Sequence, residues 1–492
     1  MNNRRQFLTS MVIGGAAAAA VPALARALPG GEMALPPKGP ANSWDEVPRI
    51  LARIKPPTFP ARDFDITRFG ARGDGKTDCT EAFARAIAAC NAARGGRVVV
   101  PSGEFLTGAI HLKSNVNLHL SQGSTVRFSR DPKEYPLVFS RWEGTELMNY
   151  SSFLYAFEQE NIAITGKGTL DGNADAGHWW DWKDRTRSRP GQPPGDRDLL
   201  MQMGEKGVPV EQRVFGEGHY LRPQFIQPYR CKNILIEGVT LLNSPMWQVT
   251  PCLCSNVTVR GLHINANGGP NTDGCDPESC RDVLIQDCYF NTGDDCIAIK
   301  SGRNADGRRV NVPTENVVIR GCHMQDGHGG VTIGSEISGG VRNVFAENCQ
   351  MDSPHLDFAV RIKNNAMRGG LLENIYVRNV TVGQVARAAV TIDFFYEEGK
   401  AGQFTPVVRN VRIEKMKTQK STYALYLRGF ENAPISGIDL VDCDFEGVAQ
   451  PNLLENVKDL SVRNVRINGK PWEDGGTRSS LMQRLRATLI NT

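Results

Sequence analysis

One phrase, written ten times, limits this chain more than any other feature: an Asn, alternating apolar residues, a short polar step and another apolar pair. It reads ENIAITGKGTL from Glu160, KNILIEGVTLL from Lys232, SNVTVRGLHI from Ser255, RDVLIQDCYF from Arg281 and ENVVIRGCHM from Glu315. It continues as RNVFAENCQM from Arg342, ENIYVRNVTV from Glu373, RNVRIEKMKT from Arg409, SGIDLVDCDF from Ser436 and KDLSVRNVRI from Lys458. The alternation has period two, so each copy is a strand rather than a helix. The copies return about every 22 to 36 residues, a solenoid spacing. A second strand follows many of them: CIAIKS at Cys296, GVTIGS at Gly330, AVRIKN at Ala359, AVTIDF at Ala389 and ALYLRG at Ala424. Several short strands per turn, with no helix between, predict an all-β chain folded as a right-handed parallel β-helix. No rung can bury its own apolar face, so the rungs must stack into one core. Asn at the start of the phrase suits a tight left-handed bend, and successive Asn side chains are predicted to stack as a ladder. Cys288, Cys322, Cys349 and Cys443 share one slot of the phrase and should face inward.

The start of the chain is of another kind. A basic stretch with Arg4 and Arg5 precedes Phe7 and Leu8, an apolar run from Met11 to Leu24, and small residues Ala23 and Ala25. This reads as a signal peptide, residues 1–25, too short to span a bilayer. Its Arg-Arg-x-Phe-Leu pattern resembles the twin-arginine export signal, which implies a bacterial protein that folds before export and works in the periplasm or outside the cell. An extension (26–60), the β-helix (61–475) and a C-terminal tail or cap (476–492) follow. Over 492 residues the chain is 40% hydrophobic and 22% charged with net charge +4, ordinary for a globular protein with a large core. Nothing predicts a nucleic-acid partner, a membrane association of the mature chain or an obligate oligomer, and a monomer is expected. The 12 cysteines include no C-x-x-C pair, which favours buried small residues over a metal site, with a few disulfides still compatible with export.

GARGDGKT, residues 70–77, has the spacing of a phosphate-cradling loop, between a predicted strand (64–69) and a predicted helix (80–91). No βαβ series follows, as that fold would need, and a solenoid needs a cap on its first rung. Phe83, Ala86, Ile87 and Cys90 recur at helical spacing, so the segment reads as a turn into a short capping helix, with Thr77 or Asp78 as N-cap.

Four blocks in the middle rungs carry chemistry: NTDGCD (271–276), GDDCIAIKSG (293–302), GHGGVTIGS (327–335) and RIK (361–363). Aligning the second strands on Ile297/Ile299, Val331/Ile333 and Val360/Ile362 puts Asp294 and His328 in one slot of successive rungs. Arg361 and Lys363, two apart, share a face. Asp273 lies on the preceding rung. With rungs roughly 4.8 Å apart, three carboxylates, a histidine and two cations should gather on one outer face. Such crowding of like charge costs energy and marks a site. It should also raise one carboxyl pKa and keep a proton on the cluster.

These blocks resemble the signature of the polygalacturonases, family 28 of the glycoside hydrolases, and the insertion that includes residues 178–196 resembles those of the exo-acting bacterial members. The likeness extends to FDITRFGARGDGKTDCTEAF and RPQFIQPYRCKNILIEGVTLLNSPMWQV. The resemblance implies inverting hydrolysis of α-1,4-galacturonosyl links in pectic polysaccharide or oligogalacturonides, with no cofactor and no metal. Carried over by motif, Asp294 is the general acid, Asp273 and Asp295 hold and activate water, His328 supports the acid, and Arg361 and Lys363 bind the sugar carboxylate. Lys300 and Asn271, from the same blocks, join the substrate-binding set. Carboxylates about 5 Å apart would by a general spacing rule indicate retention, whereas the resemblance implies inversion. Alternatives are a rhamnogalacturonan or xylogalacturonan hydrolase, a Ca²⁺-dependent lyase on the same fold, and a non-catalytic β-helical carbohydrate-binding protein.

Between the phrases at Asn161 and Asn233 the chain inserts extra residues, including HWWDWKDRTRSRPGQPPGD from His178 to Asp196. Long loops in compact folds are often functional. This one is predicted to wall off a groove and favour attack on a chain end. Trp179 and Trp180 are candidate faces for a sugar ring, the other reading being that they pin the loop to the solenoid.

Overall fold

The repeated phrase folds as its pattern demands, in a computed structural model that describes residues 43–189, 192–266 and 268–472. The Asn-led half of each phrase enters a 13-stranded sheet, and the apolar pair enters a 14-stranded one. The second strands form a six-stranded sheet running from Ile297–Ile299 to Leu453–Glu455. The rungs pair in parallel, and the chain is a right-handed parallel β-helix. Register is held by apolar columns. Ile234, Val257, Val283, Val317, Val344, Ile375, Val411, Ile438 and Leu460 lie one above another. A slip of one residue would turn that whole column to solvent.

The Asn bends carry the ladder. Asn161, Asn233, Asn256, Asn316, Asn343, Asn374 and Asn410 all have φ between 54° and 59°. Each side-chain amide can donate to the next, as Asn233 to Asn161 (2.9 Å), Asn343 to Asn316 (3.0 Å) and Asn374 to Asn343 (3.0 Å). Asp282, an acceptor only, takes the Asn316 amide (3.0 Å) and the Arg53 guanidinium (2.8 Å) but cannot donate onward to Asn256. All twelve cysteines are buried and free, Cys322 lying between Cys288 and Cys349 in their shared column.

At the N-terminal end the helix Thr80–Ala92 buries Phe83, Ala86, Ile87 and Cys90 against the first rungs. Its N-cap position is Cys79; the expected cap residue Asp78 acts from one place earlier, accepting from the Thr80 amide at 2.9 Å. The strand before GARGDGKT is shorter than its pattern predicts. It covers Asp63–Asp65, and Ile66–Phe69 turns into a 3-10 helix because the Asp65 carboxylate takes the Thr67 amide (2.8 Å). The helix Glu46–Arg53 and Trp44 lie on the outside of the first sheet over Leu284, Val318, Phe345 and Tyr376. The expected leader (1–25) and the C-terminal tail (476–492) lie outside the described residues. Among the described residues no helix is long and apolar enough to cross a membrane.

Two segments leave the solenoid and stand beside its middle rungs. One is an antiparallel hairpin, Leu137–Trp142 with Thr145–Tyr150. Its two-residue turn, Glu143–Gly144, has both φ values positive (40° and 82°), the geometry that lets a tight hairpin follow strand twist. The other is the insertion, which forms the helices Trp182–Arg185 and Asp196–Glu205.

Candidate active site

The six-stranded sheet places the acidic cluster. The amide of Gly274 donates to the Asp295 carbonyl (3.0 Å), and that of His328 to the Asp294 carbonyl (3.0 Å). Asp273 therefore sits beneath Asp295, and His328 above Asp294, as the alignment of strands predicts. Arg361 and Lys363 follow on the strand Leu356–Lys363. Oxygens of Asp273, Asp294 and Asp295 all lie within 4.8 Å of one another.

Each carboxylate has a different environment. Asp295 is fully buried and its oxygens are committed. Oδ1 accepts from Thr332 Oγ1 (3.0 Å) and Arg361 Nη1 (3.3 Å), and Oδ2 from Lys363 Nζ (2.7 Å). Asp294 is partly open. Its Oδ1 meets His328 Nδ1 at 2.9 Å and the Asp295 amide at 3.0 Å, and its Oδ2 accepts from Asn271 Nδ2 at 3.3 Å. Asp273 is buried with Oδ1 lacking a hydrogen bond, and Lys300 Nζ lies 3.7 Å from its Oδ2. Asp276, beside it, has neither oxygen hydrogen-bonded.

Those environments drive the proton affinities apart. Burial pushes Asp273 well above the usual carboxylate range, helped by the charges of Asp276 and Asp294. Burial likewise raises Asp276. Burial also acts on Asp294, but the His328 hydrogen bond and the charges of His328, Lys363 and Lys300 prevail and hold it well below its ordinary value. His328 is raised in return, chiefly by that hydrogen bond. The cluster therefore favours protonation of Asp273 and Asp276 over protonation of Asp294. A split of this kind separates acid and base roles. The three carboxylates are also a donor set for a hard cation; Lys363 against Asp295 and Lys300 near Asp273 already supply compensating charge there.

The cluster stands outside the apolar core of the solenoid, as strand alternation predicts, and the hairpin and the insertion wall it into a cavity. Asp273 and Lys300 are each 2% exposed. The hairpin and the insertion roof the cluster and leave about 510 Å³, lined in part by Trp142, Glu143, Lys183, Thr186, Arg197, Arg222, Asn271 and Lys300. A second hollow of about 590 Å³ shares Lys363, Tyr396 and Glu397 with it and continues along the sheet past Arg361 and Arg387.

Lys300 and Asn271, the expected substrate-binding residues, line the cavity, and Lys300 also pairs with Glu336 (3.1 Å) and lies 4.2 Å from the Trp247 ring centroid. Trp179 is a correction. It is 2% exposed and packs on Tyr135, Phe153 and Trp182, with centroids 5.4, 5.5 and 4.9 Å away. It pins the insertion to the core and offers no face to a sugar. Trp180 donates to the Ser244 carbonyl (2.9 Å) and does not line the cavity. Sequence reasoning missed Glu143, Arg197, Arg222 and Glu336. The tight-turn dipeptide Glu143–Gly144 was a readable signal for the hairpin, but nothing local to it indicates which rung it would cover.

The family model described as "Glycosyl hydrolases family 28" matches residues 215–466. A Vitis vinifera protein named "Probable polygalacturonase" is 30% identical over 77% of this chain and 73% of its own. The "Exo-poly-alpha-D-galacturonosidase" of Dickeya chrysanthemi is 27% identical over 82% and 74%. Among solved structures, a hyperthermoactive exopolygalacturonase from Thermotoga maritima is 45% identical with a TM-score of 0.83, covering 88% of this chain and 97% of that one.

Proposed function

The chain belongs to family 28 of the glycosyl hydrolases, and from that membership we propose that it is an exo-acting polygalacturonase, releasing units from the non-reducing end of polygalacturonate or oligogalacturonides. The observation that carries the reading is a three-carboxylate cluster at the bottom of a cavity closed on one side by the hairpin and the insertion.

Asp294 is the group that gives its proton to the departing glycosidic oxygen, supplied through His328. An anionic sugar beside Lys363 and Arg361 offsets the positive charge that holds Asp294 ionised, so its proton affinity rises as substrate arrives. The imidazolium, 2.9 Å away, then has a shorter free-energy path for passing its proton on. Asp273 and Asp295 flank the attacking water, Asp295 held in place by Thr332, Arg361 and Lys363. Export through the twin-arginine route, suggested by Arg4 and Arg5, accompanies this reading; loss of export on replacing both by Lys would support it.

The deciding experiment offers polygalacturonate and rhamnogalacturonan side by side, with and without a chelator. Monomer or dimer from polygalacturonate, slow loss of viscosity and indifference to the chelator are expected. An unsaturated product, or cleavage of rhamnogalacturonan alone, would overturn the proposal.

A further inference from the structure

Six cations line the catalytic cavity: Lys183, Arg187, Arg197, Arg222, Lys300 and Lys363. Four are paired with protein carboxylates. Arg187 meets Asp184 at 4.0 Å, Arg197 meets Glu143 at 2.8 Å, Lys300 meets Glu336 at 3.1 Å and Lys363 meets Asp295 at 2.7 Å. Lys183 and Arg222 have no ion-pair partner among the described residues.

Arg222 is the more unusual of the two. It is 2% exposed, and a buried charge without a counter-ion is expensive. Its Nη1 donates to the carbonyls of Pro245 (3.0 Å) and Pro270 (2.5 Å), and its Nη2 to Asn271 Oδ1 (2.8 Å). These acceptors are neutral. They fix the guanidinium in direction without cancelling its charge, and two of its five N–H groups remain for a further acceptor. Burial pushes Arg222 down to about 10, although the charges of Glu143, Asp294 and Asp273, none of them in ion-pair contact, act against it. Lys183 is lowered by burial and then by the charge of Arg222, and Asp294 pulls it back up. The two cations thus repel each other on the walled side of Asp294. One anion between them would relieve both.

We propose that Lys183 and Arg222 form the receptor for the carboxylate of the hexuronic acid ring on the closed side of the scissile bond, the chain-end ring. The proposal rests on the exo-hydrolase reading and goes further by assigning that ring its own charge-reading site, distinct from Arg361 and Lys363. Asn271 links the receptor to the chemistry, holding Arg222 with its oxygen and Asp294 with its nitrogen (3.3 Å). Lys183 comes from the insertion and Arg222 from the solenoid side. The pair is therefore complete only when the insertion is folded over the cavity, so the same segment closes the groove and reads the charge of the chain end.

The test compares trigalacturonate with the same trisaccharide methyl-esterified on its non-reducing terminal ring. Wild type should prefer the free acid by about 10- to 100-fold in kcat/KM, the worth of a charge-assisted contact. Lys183→Met should reduce that preference to about threefold or less, and Lys183→Arg should keep most of it. Equal losses on both substrates in Lys183→Met, or no preference in wild type, would overturn the receptor. Calorimetric binding of galacturonate, with galactose as neutral control, reads the receptor without turnover. A protein that binds galacturonate through Lys183 but cleaves no pectic oligosaccharide refutes the hydrolase reading and keeps the receptor. One that cleaves trigalacturonate while Lys183→Met leaves the acid-to-ester ratio unchanged refutes the receptor alone.

Discussion

His328 Nδ1 lies 2.9 Å from Asp294 Oδ1, and the His328 amide donates to the Asp294 carbonyl directly beneath it. The two residues are one rung apart and share a proton as a pair. His328 is raised above its ordinary value and Asp294 is lowered, which favours the proton on the imidazole over the carboxylate. As pH rises through the raised histidine value, the pair loses that proton and the acid role fails. The high-pH limb of kcat/KM should therefore report His328. In His328→Gln the only proton left to lose is that of a carboxylic acid, and the limb should move to lower pH. A pH–rate profile with an unmoved limb would remove His328 from the titrating pair.

Asp294→Asn should keep the fold and ligand binding while turnover falls by about 10²- to 10⁴-fold, the usual effect of losing a general acid. The stereochemistry of the wild-type product is a linked expectation. Carboxylates within 4.8 Å suit retention by the general spacing rule. Here, however, Asp295 is held by Thr332, Arg361 and Lys363 in the role of a partner to water, and the family resemblance implies inversion. Proton NMR of the first turnover should then show the β-anomer. Initial release of the α-anomer would identify a covalent route.

Trp179→Ala should cost about 3–5 kcal/mol of stability, as for a large aromatic removed from a packed core. KM for oligogalacturonides should change little, because the ring faces Tyr135 and Phe153 rather than the cavity. Chemical denaturation and steady-state kinetics together separate this from a sugar-stacking role. Deletion of residues 187–194 removes wall residues Arg187 and Ser188 but spares the tryptophans. Product size should then shift toward longer oligomers, with a steeper early fall in viscosity.

Gly329→Ala is expected to impair catalysis although it replaces no charged residue. A Cβ there would collide with Thr332 Oγ1 and come within 2.8 Å of Asp295 Oδ1. Since Thr332 and Asp295 are hydrogen-bonded, the carboxylate must shift from its place beside the water position. Misplacement of a reacting group by about 1 Å can cost around 100-fold in rate. Wild-type kcat in this variant would show that Asp295 tolerates displacement.

The order of the rungs, the left-handed Asn bends and the stacking of His328 on Asp294 were legible in the sequence. Each depends on a period-two pattern or on a register between neighbouring copies, information carried within a few tens of residues. The helix from Thr80, with its inward Phe83 and Ile87, was readable for the same reason. Whether the cluster is open or enclosed is not encoded that way. The hairpin that roofs it meets the solenoid through pairs such as Glu143 with Arg303, 160 residues apart. Burial by such distant segments turns an exposed acidic turn into a cavity. The same burial raises the proton affinity of Asp273, seats Trp179 in the core and leaves Arg222 without an ion-pair partner among the described residues. Desolvation and packing depend on everything that comes to surround a side chain, and only the folded chain determines what that is.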